Sequence, residues 1–168
     1  MRRSISMIAV SALAVFLTVG AVAMAKTIKG TQGDDVLTGT AEADKIVGKK
    51  GDDQISGLAG DDDLRGNKHD DTITGDEGND RLRGFAGADA LDGGVGNDSL
   101  AGGKNIDELS GGEGDDSITS RGDGNKADNV SCGEGVDTVK ADKKDVVADD
   151  CENVDRPGKP GGEYTLNV

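Results

Sequence analysis

Ten aspartates recur at intervals of nine residues along the chain, and their carboxylates are well placed to bind cations. The nine-residue period runs without a gap from Gly30 to Thr119, with Gly at position 1 and Asp at position 6 of every block. Carboxylate and backbone carbonyl oxygens form a hard, flexible donor set that suits Ca²⁺ better than Zn²⁺ or Cu²⁺, whereas Mg²⁺ demands stricter geometry. The candidate metal ligands are Asp35, Asp44, Asp53, Asp62, Asp71, Asp80, Asp89, Asp98, Asp107 and Asp116.

Short strands separated by glycine-rich turns must position these aspartates. Position 8 is Leu or Ile in every block, and its neighbours at positions 7 and 9 are mostly polar. Because side chains alternate between the two faces of a strand, the aliphatic residue points inward and its neighbours point outward. Coils of two blocks each can stack these aliphatic residues into two facing ladders. The sequence therefore predicts an all-β fold, a parallel β-roll (a β-solenoid) of about five coils, with degenerate coils capping its C-terminal end.

Glycine at positions 1 and 4 predicts tight turns, because glycine adopts positive φ without steric cost. Position 4 departs from Gly only at Glu42, His69 and Asn105. Asn and His tolerate positive φ better than Glu does, so the block that contains Glu42 should have the least ideal turn.

Stacking of the coils would bring the aspartates of alternate blocks close together. A row of close carboxylates is strongly repulsive without a cation, whereas an ion between each stacked pair makes the arrangement attractive. Ten blocks paired in this way predict up to about eight calcium sites. Further acids at position 5 either add ligands or are solvated turn residues: Asp34, Asp52, Asp61, Asp70 and Asp115.

The nine-residue pattern resembles the RTX, or haemolysin-type, calcium-binding nonapeptide repeat. Blocks 93–101 and 111–119 match the full G-G-x-G-x-D-x-U-x form of that repeat. The resemblance extends over 30–119, and it implies a right-handed β-roll with calcium held by the position 6 aspartates and nearby carbonyls. Position 2 departs from the family pattern, being Gly only at Gly94, Gly103 and Gly112, but this departure puts little of the resemblance in doubt. Toxin activity, which such repeats often accompany, is not expected to carry over.

Composition limits both the fold and the partners. The chain has 168 residues, with 28 Gly, no Trp, two Phe, one Tyr and a net charge of −14. Such a composition alone is equally compatible with disorder, so we expect the ordered repeat to fold only when calcium binds. A strongly acidic chain repels nucleic acid, anionic membranes and other copies of itself, so we also expect a monomer.

The N-terminal segment predicts export. Arg2 and Arg3 precede an uncharged apolar stretch, and Ala23-Met24-Ala25 has the small-x-small form of a cleavage site. An uncleaved membrane anchor is the alternative, since the apolar stretch is long enough to span a bilayer. Cleavage after Ala25 would lower the net charge from −14 to −16 and leave a secreted chain that inserts into no membrane.

The region after Thr119 predicts a cap for the roll. Valine replaces Leu or Ile in degenerate D-x-V copies that begin at Asp128, Asp137 and Asp145. The only two cysteines, Cys132 and Cys151, are expected to form a disulfide in an exported chain rather than remain free thiols.

Four segments follow from these patterns. They are a signal peptide (1–25), the β-roll repeats (26–119), a disulfide-pinned cap (120–155) and a flexible Pro/Gly tail (156–168). The last five residues alternate like a strand and could cover an edge, although a frayed end is the simpler expectation.

Catalytic motifs are absent from the sequence. It contains no H-E-x-x-H, no G-x-S-x-G and no Cys-His pair, and the single histidine, His69, stands at a turn position. We therefore predict a secreted, non-enzymatic calcium-binding protein that acts as a structural or extracellular binding module. A calcium-dependent adhesin or matrix component that recognises surfaces or glycans is the alternative, whereas ice binding would need regular threonine rows that position 9 lacks.

Overall fold

The computed structural model describes residues 24–122 and 126–157, in which every regular element is a β-strand. Most of the predicted signal peptide and of the predicted tail lies outside the described residues. The strands are β1 (Thr27–Lys29), β2 (Val36–Thr38), β3 (Lys45–Val47), β4 (Gln54–Ala59), β5 (Asp63–Lys68), β6 (Thr72–Glu77), β7 (Arg81–Ala86), β8 (Ala90–Val95), β9 (Ser99–Lys104), β10 (Glu108–Glu113), β11 (Ser117–Thr119), β12 (Asn129–Glu134), β13 (Thr138–Lys140), β14 (Val146–Val147) and β15 (Asn153–Asp155).

Successive strands alternate between two parallel sheets. The odd-numbered strands form an eight-stranded sheet, sheet A, and the even-numbered strands form a seven-stranded sheet, sheet B. Strands pair with the strand one coil away, so that Ile46 lies beside Leu64 and Leu64 beside Leu82. The arrangement confirms the predicted right-handed parallel β-roll, and about seven turns are present because β1 and β12–β15 extend the coils formed by the ten repeats. None of the described residues forms a helix long and apolar enough to cross a membrane.

The core consists of the two aliphatic ladders that position 8 predicts. Each position 8 residue from Ile46 to Ile118 is at most 3% exposed, and Val130 and Val139 continue the ladders into the cap. Full burial of such a side chain contributes about 1.5–3 kcal/mol, so the core is a thin line of contacts rather than a broad hydrophobic interior. At the N-terminal end, Ile28 and Leu37 are only partly buried against it.

The turn glycines act differently from the prediction. The glycines at position 1 are not at positive φ; the left-handed conformation falls instead at position 2, including Leu58 (φ 82°) and Phe85 (φ 77°). Position 1 of the repeats is glycine because a side chain there would collide with the aspartate and the carbonyl of the neighbouring coil. At Leu58 and Phe85, where position 2 is not glycine, the residue is therefore held in a strained conformation. Positive φ at position 4 is confirmed in several turns, including those of His69 (74°) and Asn105 (85°), whereas Glu42 avoids it.

The predicted disulfide is confirmed in the cap. Cys132 and Cys151 are bonded, with their Cα atoms 5.2 Å apart. Cys132 lies in β12 and Cys151 lies two residues before the start of β15, so the bond joins the last coils of the roll. Two arginines hold the same region together, because Arg121 donates to the carbonyls of Ala141 and Asp155, and Arg156 donates to those of Asp142 and Asp145.

Candidate metal centre

The position 6 aspartates form two ladders, one at each place where the chain passes from one sheet to the other. In each ladder, the Oδ1 atom accepts a hydrogen bond from the backbone N–H of the aspartate one coil earlier, at 2.6–3.0 Å. The structure therefore brings the aspartates of alternate blocks together, as the stacking argument predicts. It also buries them, because those from Asp44 to Asp116 are at most 4% exposed.

The second carboxylate oxygen of most of these aspartates is buried without a partner. Burial of an unpaired charged oxygen is strongly unfavourable, so each such atom indicates a missing proton or cation. Within the described part of the chain, the Oδ2 atoms that have no hydrogen-bond partner include those of Asp53, Asp62, Asp71, Asp80, Asp89, Asp98, Asp116 and Asp137.

At most of these turns, the unpartnered oxygen lies beside a position 1 glycine together with a carbonyl oxygen of the next coil. A Cβ atom added to Gly75 would lie 2.3 Å from Asp80 Oδ2 and 2.4 Å from the carbonyl oxygen of Gly93, one coil away. The same pair of distances recurs one repeat later, where Gly93 adjoins Asp98 Oδ2 and the Gly111 carbonyl. The absent side chain thus leaves a small space bordered by oxygen atoms from two coils. An oxygen-only set with a carboxylate and carbonyls fits Ca²⁺.

Burial also raises the pKa of the ladder carboxyls. It raises the pKa of Asp71 and Asp98 to about 7, although the backbone hydrogen bond to each partly opposes the shift. The same cause raises the pKa of Asp62, Asp89 and Asp116 to about 6. Neighbouring carboxylates of the ladder add to the rise at several positions, including Asp71. A raised pKa shows that the ion-free roll tolerates the charged form poorly, and a bound cation would remove that penalty.

The first two predicted ligands, Asp35 and Asp44, differ from the others. Asp35 Oδ2 accepts hydrogen bonds from the backbone N–H (2.5 Å) and hydroxyl (3.1 Å) of Thr31. Asp44 Oδ2 accepts the equivalent bonds from Thr40, at 2.6 and 3.0 Å. These carboxylates are already satisfied by the protein, so they are the weakest candidates of the ten.

Three further aspartates continue the ladders beyond the predicted set. Asp107 and Asp116 donate backbone N–H bonds of 2.8 Å to Asp128 and Asp137, and Asp128 donates one of 3.2 Å to Asp145. The D-x-V spacing was the signal for them in the sequence. They were not counted as ligands because the insertion after Thr119 changes the offset between coils from 18 to 21 residues.

The position 5 acids occupy the outside of the turns. Asp34 Oδ1 accepts the backbone N–H of Asp52 at 2.9 Å, and Asp52 Oδ1 accepts that of Asp70 at 3.2 Å. All three are exposed, so their hydrogen bonds hold adjacent turns together while the carboxylates remain solvated. This geometry favours the solvated-turn interpretation over a ligand role.

Comparison with known families agrees with this geometry. The family model for the RTX calcium-binding nonapeptide repeat matches residues 38–68, 65–100 and 92–127. Together these segments run from residue 38 to residue 127, which is more than half of the chain. No curated protein matches the chain significantly.

Proposed function

The chain belongs to the RTX calcium-binding nonapeptide-repeat family, and from that premise we propose that it is a secreted, non-catalytic protein whose β-roll folds when Ca²⁺ binds between its coils. Calcium binding by a β-roll module is the property of the family. Secretion, the coupling to folding and the structural role of the chain are the proposal.

The buried, unpartnered Oδ2 atoms carry this proposal. In the roll without ions, ladder carboxylates lie stacked one coil apart and out of water, which opposes folding because nothing neutralises them. A cation held by Asp80 Oδ2 and the Gly93 carbonyl, for example, would remove this penalty in that turn. Since no such site exists in the unfolded chain, the free energy of calcium binding would become free energy of folding.

Up to about eight ions would fit this scheme, since each site needs carboxylate and carbonyl oxygens from two stacked coils. The sites that should bind most tightly are those whose Oδ2 atoms have no competing hydrogen bonds, at Asp53, Asp62, Asp71, Asp80, Asp89, Asp98 and Asp116. Sites at Asp35 and Asp44 should bind more weakly, because each Oδ2 already accepts bonds from a threonine. Calcium counted by equilibrium dialysis would measure the occupied number.

The coupling to folding is tested by far-UV circular dichroism of the chain without its predicted signal peptide (residues 26–168). We expect a coil-like spectrum in chelator, a β spectrum in about 1 mM Ca²⁺, and reversal when chelator is restored. Mg²⁺ at equal concentration is the control and should produce little change. A spectrum that is the same with and without calcium would overturn the proposal.

Secretion rests on the charged, apolar and small-residue pattern of segment 1–25. N-terminal sequencing of the protein recovered from culture medium should begin at Lys26. Recovery of the intact Met1 terminus in a membrane fraction would favour an uncleaved anchor instead.

A structural role also explains the ladder aspartates without catalysis. Their Oδ1 atoms mostly accept backbone hydrogen bonds, and the carboxylates from Asp44 to Asp116 are buried inside the roll, where a substrate has no access. A screen of the calcium-loaded protein for hydrolytic activity on esters, peptides and glycosides should therefore detect none. Turnover that requires a ladder aspartate would contradict this part of the proposal.

A further inference from the structure

The two outer faces of the roll carry opposite charge, although the chain as a whole is strongly acidic. The strands of sheet A contain eight basic and two acidic residues, whereas those of sheet B contain six acidic residues and no lysine or arginine. We call the outer surfaces of these sheets face A and face B. The basic residues of sheet A are Lys29, Lys45, Arg65, Lys68, Arg81, Arg83, Lys104 and Lys140, and the acidic residues of sheet B are Asp76, Glu77, Asp92, Glu108, Glu113 and Glu134.

The basic charge of face A is only partly neutralised within the molecule. Asp63 pairs with Lys45 at 3.3 Å and with Arg65 at 2.7 Å. On the next strand, Arg81 and Arg83 lie on either side of the buried Leu82, so both side chains leave the outer surface of the sheet. Neither guanidinium group forms an ion pair or hydrogen bond with another residue in the described parts of the chain. Two guanidinium groups are therefore available to a partner at the centre of face A.

Face B offers a matching surface. Asp76, Glu77 and Asp92 border a shallow depression across β4, β6 and β8, and the half-exposed Leu58 and Val95 form part of its lining. An arginine side chain suits such a surface, because its apolar stem packs on aliphatic groups while the guanidinium meets carboxylates. The side chains that face A presents without partners are thus of the type that face B would accept.

We propose that folded rolls associate with one another, face A of one copy against face B of the next. Because the two faces differ, this contact is heterologous, and repeated addition produces an open row of copies rather than a closed dimer. The expectation of a monomer was based on net charge, which does not reflect where the charges lie. The inference rests on the proposed function, since the faces exist only when the coils are stacked and calcium lowers the overall repulsion between copies.

A second copy explains more of the surface than a polyanion would. An acidic polymer would account for face A but would leave the acidic face B without a role, and it would be repelled by the rest of the chain. Each face measures roughly 34 Å by 20 Å, or about 700 Å², from the strand spacing and length. This is slightly less than the roughly 800 Å² that each partner buries in a stable complex. The association should therefore be weak, reversible and sensitive to salt.

The test is sedimentation velocity of residues 26–168 in about 1 mM Ca²⁺, at about 20 mM and about 500 mM NaCl. Wild-type protein should form larger species at low salt and revert to monomers at high salt. Two charge-reversal variants should each be monomeric at low salt: R81E/R83E on face A, and E77R/D92R on face B. Their mixture in equal amounts should associate again, because the unchanged face B of the first variant can bind the unchanged face A of the second, and the reversed charges at the two mutated patches also complement each other. Circular dichroism of every sample separates loss of association from loss of folding.

A wild-type protein that folds in calcium and remains monomeric at low salt would overturn the inference while leaving the proposed function intact. Failure to fold in calcium would instead contradict the proposed function. Retention of the wild type on a polygalacturonate column is the measurement for the alternative occupant. A monomeric wild type whose retention is lost in R81E/R83E would assign face A to an acidic polysaccharide and would also overturn self-association.

Discussion

The central repeats and the C-terminal coils share one architecture but are stabilised in different ways. In the central repeats, 48–119, position 1 is always glycine and the ladder carboxylates face open, oxygen-lined spaces. In the C-terminal coils, 126–157, the residues aligned with position 1 are Cys132 and Ala141, and Ser120 occupies the equivalent place just before them. Side chains thus fill the spaces that glycine leaves open elsewhere.

The last aspartate of one ladder shows what this difference achieves. Asp145 Oδ2 accepts hydrogen bonds from the Ser120 hydroxyl at 2.7 Å and from the Asp142 N–H at 2.6 Å. The corresponding oxygen of Asp89 has no partner. Asp137 of the cap keeps an unpartnered Oδ2, but a hydroxyl, a disulfide and arginine bonds to carbonyls also stabilise the cap, so it should depend less on calcium than the repeats do. Such an end suits a solenoid, whose terminal coil must be stable without a further neighbour.

Calcium removal should separate the two regions most clearly. In chelator we expect backbone amides of β4–β11 to lose protection from hydrogen exchange, whereas β12–β15 should retain more of it because the disulfide and the hydrogen bonds persist. Exchange measured by mass spectrometry with and without calcium provides the comparison. Equal loss of protection in both regions would show that the cap also depends on ions.

Filling one of the open spaces with a side chain should destabilise the central repeats nearly as much as removal of calcium. Gly75→Ala places a methyl group 2.3 Å from Asp80 Oδ2 and 2.4 Å from the Gly93 carbonyl. Overpacking of this kind costs typically about 1–3 kcal/mol, and here it also displaces two of the proposed ligands. Gly33→Ala is the matched control, because no atom lies within 4 Å of its added methyl group. Calcium-induced folding followed by circular dichroism should be weakened only in Gly75→Ala.

Loss of the disulfide should affect mainly the cap. Replacement of Cys132 and Cys151 together by alanine should destabilise the C-terminal coils by roughly 3 kcal/mol, the value expected for a loop of this length. The calcium midpoint for folding of the central repeats should change little. If the repeats no longer fold in saturating calcium, the two regions are not separately stabilised.

Adjacent aspartates of one turn provide a sharper test of the ladder. Asp71 is buried in the ladder with an unpartnered Oδ2, whereas Asp70 is exposed on the outer turn. Asp71→Asn removes a buried charge, so it should stabilise the roll in chelator. It should also weaken calcium-induced folding and reduce the number of bound ions, proposed to be roughly eight, by one or two. Asp70→Asn should change neither property. Identical calcium titrations for the two variants would exclude Asp71 as a ligand.

Acidification should change the extent of folding less than these substitutions do. It should promote folding in chelator and oppose folding in limiting calcium. The pKa of Asp71 and Asp98 is about 7 in the ion-free roll, against an ordinary value of 3.8. The folded state therefore binds more protons, so this contribution to stability is complete below about pH 4 and is lost as pH rises through about 7. In chelator, lowering the pH should increase the β signal. In limiting calcium, the midpoint concentration should rise because protons compete for the carboxylates.

Much of the fold was predictable because each position of the repeat occurs ten times with nearly the same residue type, so its structural role is clear from the sequence. The Leu or Ile at position 8 had to point inward, and the period of nine set the pairing of alternate blocks. Asp128, Asp137 and Asp145 were harder to place, because the insertion after Thr119 interrupts that period. The threonine bonds to Asp35 and Asp44 were also missed, since position 2 was considered only for the absence of glycine.

The sequence by itself determined the coil, the core ladders, the aspartate columns and the pairing of Cys132 with Cys151. These features depend on the nine-residue spacing, or, for the disulfide, on there being only two cysteines. Only the tertiary structure decided that the aspartates are buried, that positive φ falls at position 2 and that the two faces differ in charge. The physical reason is that successive blocks enter opposite sheets, so the period in space is eighteen residues, and close packing between coils determines which backbone and side-chain atoms have room.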